Sequence, residues 1–315
     1  MILTTEQFKT LHHGALWFQE TEDNYLQAFQ YTKQQMDYFK EVSDFWYDRC
    51  TAGNAKTLEF ITTATKCSFD YKFLWIGSED SVELMEDGLI SQIFYMKDMG
   101  EEGTLSFDLK EGEKKVTIYL PIDATIQLRN FELNADYAPI EKKEKVLWMG
   151  DSITQGFGPL RSAHTYVSVA NRLLDYEALN QGIGGYVYDK NVLVPMYDYK
   201  PDKIIISMGT NQFGCKTMEA VEEYYVRLKE VYGDTPVLCI TPIWRGDVPD
   251  GLPTLERFCS NLKAIVEKYE NITVVDGFTL VPHLSEYFLD NLHPDCLGSE
   301  VYGRNLVLAI EKAGF

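Results

Sequence analysis

The chain has 315 residues, 45% apolar, 13% aromatic and 24% charged, which supplies a globular core and excludes fibrous and disordered classes. Its formal net charge of -19 argues against nucleic acid and anionic membrane surfaces as partners, and otherwise serves solubility. The six cysteines show neither a disulfide framework nor CxxC or Cys/His zinc spacing.

In chain order, a short strand is expected at Ala15-Leu16-Trp17-Phe18. A helix is expected over 32–46, where Thr32 can cap and Met36, Phe39, Val42 and Trp46 recur at helical spacing. From about residue 55 the pattern changes to alternation, over 57–62, 67–73, 103–109 and 115–120. Turn signals such as Glu86-Asp87-Gly88 separate these runs, so 1–140 reads as a β-sandwich, jelly-roll-like, with a short leading helix. The charged segment 136–144 reads as a connection.

From 141 to 315 apolar strands alternate with helices. Strands are expected at 145–149, 177–180, 203–208, 235–240 and 272–276, with helices over 165–174, 217–231 and 255–269. Strands this apolar imply an α/β fold with a parallel sheet covered on both faces. No signal peptide or transmembrane run is legible, so a reduced cytoplasm is the expected location.

Functional groups of open parallel sheets gather at the carboxyl ends of strands. Four separate loops place candidates there. Gly150-Asp151-Ser152 follows the first strand, Gly185 the second and Asn211 the third, while Asp290-Asn291-Leu292-His293 precedes the last helix. Ser152 suits a nucleophile, but a serine hydroxyl is weak without a base. His293 suits the base, and Asp290, three residues earlier, is spaced to orient its ring from one side of a helical turn. Pro294 biases His293 away from helical backbone. Ser152 N–H, Gly185 N–H and the Asn211 amide would serve as oxyanion donors, with Gly184 as the fallback for Gly185.

Each residue also has an ordinary reading. A lone Gly-Asp-Ser is usually a turn, Asn211 could cap a helix, and Gly182, Gly184 and Gly185 could be loop glycines outside any GxGxxG pattern. His12, His13, His164 and His283 read as structural. Trp148, Trp244 and Arg245 are candidate pocket residues, with core shielding as the alternative for Trp244 and Arg245. No GxSxG elbow surrounds Ser152, and no metal-binding pattern such as HExxH is present. No metal and no organic cofactor is expected.

The four blocks together resemble the SGNH or GDSL hydrolase superfamily: Gly150-Asp151-Ser152, 180–185, Gly209-Thr210-Asn211-Gln212 and Asp290-Asn291-Leu292-His293. Gln212 departs from that pattern, where Asp is common, and puts support of the Asn211 loop in doubt. With its leading sandwich, the chain is similar to carbohydrate esterases of family two and to two-domain GDSL acylhydrolases. The resemblance implies a three-layer, flavodoxin-like hydrolase domain. It also implies a serine esterase acting on small-acyl, mainly acetyl, esters of a small molecule or oligosaccharide. A lysophospholipase or thioesterase of the same fold, or a glycan-binding protein with a weak hydrolase domain, are the competing expectations.

Overall fold

The computed structural model describes residues 1–315. The chain starts with helix α1 (Thr5–Lys9) and strands β1 (His12–His13), β2 (Trp17–Glu20) and β3 (Leu26–Phe29). Helices α2 (Lys33–Val42) and α3 (Asp44–Cys50) follow. Next come β4 (Thr57–Thr62), β5 (Lys66–Ile76), β6 (Ser81–Glu86), β7 (Leu89–Tyr95), β8 (Glu102–Asp108), β9 (Lys114–Tyr119), β10 (Ala124–Leu133) and β11 (Tyr137–Pro139).

These strands form two antiparallel sheets. One runs β2-β3-β10-β5-β8; the other runs β1-β4-β9-β6-β7, with β11 beside β4. Their inner faces share a core that includes Phe60, Phe69, Phe107, Phe131 and Ile118. Alternation along β5 puts Cys67, Phe69, Tyr71 and Phe73 inside, as the pleat requires. The sequence hid β6, β7 and β10. Glu83 and Glu86 of β6 are charged yet buried, and charged inward residues erase the alternating signal.

The helix expected over 32–46 is two helices. Thr32 does cap the first, in a capping box with Gln35. Ser43 then leaves helical geometry (φ -167°, ψ 111°) and caps α3 through its side chain to Trp46 N–H. Helical periodicity carried across the break because Trp46 lies four residues after Val42 in either case.

The second half contains β12 (Glu144–Gly150), α4 (Ser152–Gln155), α5 (Tyr166–Leu174), β13 (Tyr176–Gly182), β14 (Lys203–Ser207), α6 (Glu219–Tyr232), β15 (Val237–Ile240), α7 (Leu252–Val266), β16 (Ile272–Val275) and α8 (Cys296–Ala313). The strands make one parallel sheet in the order β13-β12-β14-β15-β16. Side chains of β12 alternate between two cores. Leu147 and Met149 face α6 and α7, while Val146 and Trp148 face α5 and α8. This is the expected α/β/α layering, preceded by the antiparallel sheets.

The two halves separate in sequence but interlock in space. Phe39 of α2 and Tyr31 sit in the same core as Leu147 and Leu179. Asn54 Nδ2 donates to Gly182 O at 2.7 Å, Gln181 Nε2 donates to Gln30 O at 2.8 Å, and Gly14 N–H donates to Glu177. His13, read as structural, bonds the Glu177 carboxylate through Nδ1. That partner lies 164 residues away, beyond any spacing argument. All six cysteines are free, and no helix is long and apolar enough to cross a membrane.

Candidate active site

The order β13-β12-β14 reverses direction at β12, and such a switch point opens a crevice at the carboxyl ends of the strands. Ser152 follows β12, Gly185 follows β13 and Asn211 follows β14. Three of the four sequence blocks therefore meet at one crevice by topology alone.

Asp151 caps the one-turn helix α4 by accepting from Ile153 N–H at 3.1 Å, and Gly156 ends it in a left-handed conformation. Ser152 stands at the first helical position, where a backbone N–H has no intrahelical acceptor. Asp151 is fully enclosed, and burial pushes its carboxyl up to about 7 against the bond from Ile153 and the charge of Arg245.

The fourth block closes from the far side. His293 Nε2 lies 2.8 Å from Ser152 Oγ. His293 Nδ1 lies 2.8 Å from Asp290 Oδ2. The other carboxylate oxygen, Asp290 Oδ1, accepts from His293 N–H at 2.8 Å and Leu292 N–H at 3.0 Å. The Asp290–His293 pairing is not a helical turn, as the spacing suggested. It is an Asx-type bend with Asn291 left-handed (φ 63°), closed by Leu289 N–H to His293 O at 2.8 Å. Burial would raise the Asp290 carboxyl, but its bonds to His293 and Leu292 outweigh that and hold it below the usual carboxylate range. A carboxylate so held stays charged and holds the Nδ1 proton, leaving the Nε2 lone pair toward the serine.

Gly185 has φ +70°, a left-handed conformation that favours glycine. Its N–H makes no bond within the protein, whereas Gly184 N–H is taken by Gln155 Oε1 at 2.7 Å. That contrast favours Gly185 over the fallback Gly184 as a donor toward the crevice. The Asn211 side chain spends one N–H on Tyr186 O at 2.9 Å and keeps the other. Gln212 does support this loop: its Oε1 accepts from Tyr188 N–H at 2.9 Å and ties it to the segment after β13.

The three pocket candidates fare differently. Trp148 is a correction: it is fully buried in the α5/α8 core, donates to Asn171 Oδ1 at 3.0 Å and packs edge-on against Tyr166. In a strand buried on both faces, neither an apolar run nor alternation tells which side faces a ligand. Trp244 stacks on His283 at 5.5 Å and leans on Phe288, so core shielding describes it better than an open sugar platform. Arg245 is forked onto Asp247 and donates to Thr210 O at 2.7 Å, which braces the Asn211 loop. The next residue, Gly246, donates to Asn291 O at 2.8 Å and braces the Asp290–His293 bend.

Other residues at the crevice escaped the sequence reading. Phe157 meets the His293 ring edge-on at 4.7 Å. Phe45 and Trp46 of α3 flank Gly185: a Cβ placed there would lie 3.6 Å and 4.0 Å from their rings. A cavity of about 490 Å³ lies elsewhere, between the sandwich and α5/α8, where it is lined by Lys115, Arg172, Glu300 and His13. No cluster of three or more His, Cys, Asp or Glu is arranged to hold a metal ion.

A serine, an imidazole and a carboxylate joined in series at a strand end are the parts of an acyl-transfer site. Residues 148–301 match the model of the GDSL-like Lipase/Acylhydrolase family. That stretch is just under half of the chain; with it the protein is a carboxylic ester hydrolase of GDSL type, within the SGNH superfamily. No curated protein sequence matches the chain.

Among solved structures, a putative GDSL-like lipase from Bacteroides ovatus is similar with TM-score 0.76 at 16% identity, over 99% of this chain and 97% of its own. The salicylyl-acyltransferase SsfX3 of a tetracycline biosynthetic pathway is similar with TM-score 0.73 at 16% identity, over 96% and 94%. A family two carbohydrate esterase from Clostridium thermocellum, in complex with cellohexaose, has TM-score 0.68 at 16% identity, over 96% and 98%. Each match spans both halves of this chain, so the pairing of sandwich and hydrolase layers is a shared fold.

Proposed function

We propose that the protein is a serine esterase that removes small acyl groups, chiefly acetyl, from carbohydrate through an acyl-serine intermediate. Residues 1–140 are the sandwich domain and 141–315 the hydrolase domain in this reading. The observation that carries it is the unbroken series Asp290 Oδ2, His293 Nδ1, His293 Nε2, Ser152 Oγ, with 2.8 Å at each hydrogen bond. Carbohydrate is favoured over other alcohols by the likeness in whole-chain fold to family two carbohydrate esterases.

Ser152 Oγ attacks the ester carbonyl as its proton passes to His293 Nε2. Asp290 holds the imidazole and stabilises the imidazolium. The oxyanion receives Ser152 N–H, Gly185 N–H and the free N–H of Asn211, each such donor contributing roughly 2.7–4 kcal/mol to lowering the barrier. Collapse breaks the ester C–O bond, and the alcohol leaves with the proton from His293. Water, deprotonated by the same nitrogen, then attacks the acyl-serine and releases the acid.

The test is hydrolysis of p-nitrophenyl acetate by Ser152→Ala and His293→Ala, followed by acetate release from acetylated mono- and oligosaccharides. Both variants are expected to lose turnover with the fold intact. Retained activity in either refutes the assignment of roles. A preference for octanoyl over acetyl esters would instead favour a lysophospholipase or thioesterase.

A further inference from the structure

Three residues after Ser152, on the same short helix, Gln155 is almost completely buried (2% exposed). Its amide is committed at both ends. Oε1 accepts from Gly184 N–H at 2.7 Å, and Nε2 donates to Asp123 Oδ1 at 2.7 Å. The orientation of the amide is fixed by its partners, since Gly184 offers only a donor and the carboxylate only acceptors.

Asp123 belongs to the sandwich, in the turn before β10, and is itself 3% exposed. Ser78 Oγ donates to its Oδ2 at 3.0 Å. Its backbone is clamped as well: its carbonyl accepts from Gly77 N–H at 2.8 Å, and its N–H donates to Asp80 Oδ2 at 3.2 Å. Arg49 Nε of α3 lies 3.7 Å from Asp123 Oδ1, with the guanidinium 3.7 Å above the Phe45 ring. A Cβ at Gly184 would sit 3.2 Å from Arg49 Cδ, so this arginine also packs against the Gly184–Gly185 turn.

We propose that Asp123 is a positioning residue for the esterase reaction: it fixes Gln155, and through Gln155 it holds the Gly184 N–H, and with it the turn that carries Gly185, at a set distance from Ser152. The proposal rests on the esterase reading above. It makes the sandwich part of the reacting assembly, because the carboxylate that locks the oxyanion donor comes from the other half of the chain. The physical reason is economy of motion. Ser152 and Gly185 stand on different loops, and a donor helps only if it stays aimed where the negative charge forms. A buried amide bridging the two loops, pinned by a clamped carboxylate, removes their relative freedom before substrate arrives.

The experiment is steady-state hydrolysis of p-nitrophenyl acetate by the full-length protein and its Asp123→Ala, Asp123→Asn, Gln155→Met and Ser152→Ala variants, with circular dichroism and thermal melts. Asp123→Ala and Gln155→Met should lower kcat by about 10- to 100-fold while KM stays within about threefold. Asp123→Asn should recover most of kcat, because its Oδ1 still accepts from Gln155. A purely structural role predicts instead that loss of activity tracks the melting temperature and that Asn does no better than Ala. Wild-type kcat in Gln155→Met, or no rescue by Asp123→Asn, overturns the proposal. If Asp123→Ala fails to fold, Gln155→Met decides alone, since it leaves Asp123 and its sandwich contacts in place. Residual hydrolysis by Ser152→Ala would refute the esterase reading itself. An inactive Ser152→Ala beside an unimpaired Gln155→Met would refute only the role of Asp123.

Discussion

Gly158→Ala tests how firmly His293 is held. Gly158 has φ +124°, which L side chains rarely adopt, and it lies against the His293–Pro294 backbone. An added Cβ would come within 2.3 Å of Pro294 O and 3.2 Å of the His293 Cβ. Real contacts of this kind do not fall below 3.0 Å, so the two segments must part by at least 0.7 Å (3.0 minus 2.3). Transferred to the imidazole, that shift would stretch the 2.8 Å bond to Ser152 Oγ to 3.5 Å (2.8 plus 0.7), the outer limit of a hydrogen bond. Misplacing a reacting group by about 1 Å costs on the order of 100-fold, so a fall in kcat of about 10- to 100-fold is expected. The assay is p-nitrophenyl acetate hydrolysis with kcat and KM resolved. Gly112→Ala is the control: it shares a positive φ (+85°), yet its Cβ would meet nothing within 4 Å. Undiminished kcat in Gly158→Ala, or an equal fall in Gly112→Ala, would refute the reasoning.

Lys142→Met should destabilise the protein by about 2–3 kcal/mol at pH 7. It leaves the buried Glu59 carboxylate, now 2.6 Å from Lys142 Nζ, with only His13 and Lys115, the latter at 3.2 Å, as counter-charges. Burial would raise the Glu59 carboxyl, but Lys142, His13 and Lys115 hold it down to about 2. A depressed carboxylate contributes stability above its unfolded value and loses it as pH falls through its folded one. Urea melts should therefore show the gap between wild type and Lys142→Met narrowing between pH 7 and pH 3; a constant gap would contradict this account. Trp148→Phe should cost about 1–3 kcal/mol, because Asn171 Oδ1 loses its indole donor in a buried setting. Its KM for p-nitrophenyl acetate should not change, and a raised KM would return Trp148 to the substrate pocket.

Of the residues first singled out, Ser152, Gly185 and Asn211 were legible because strand-end placement is a property of chain order. A strand is recognised by its apolar run, and whatever follows it reaches the same rim of the sheet. What was illegible is lateral. Asp123 finds Gln155 across 32 residues, and His13 finds Glu177 across 164. No periodicity encodes such pairs. The facing of Trp148 was illegible for a different reason: both faces of a covered parallel sheet want apolar residues, so composition carries no sign of direction. The Asp290–His293 spacing pointed to the right partners through the wrong backbone, because an Asx bend and a helical turn both bring residues three apart together.

The contacts made by Asn54, Gly14 and Gln30 have a consequence for cutting the chain. They cover β13, the outermost strand on one flank of the parallel sheet. An uncovered outer strand offers unpaired backbone groups to any passing chain and seeds self-association. Here a stretch within the first 54 residues acts as a stopper on that flank. A fragment beginning at 141 would keep Ser152, Gly185, Asn211, Asp290 and His293 yet lose its stopper, together with Phe45, Trp46 and Asp123. The halves are thus poor candidates for modular exchange: a hydrolase lobe moved to a new carrier would need a replacement for Asn54 on its flank as well as one for Asp123 beside Gln155.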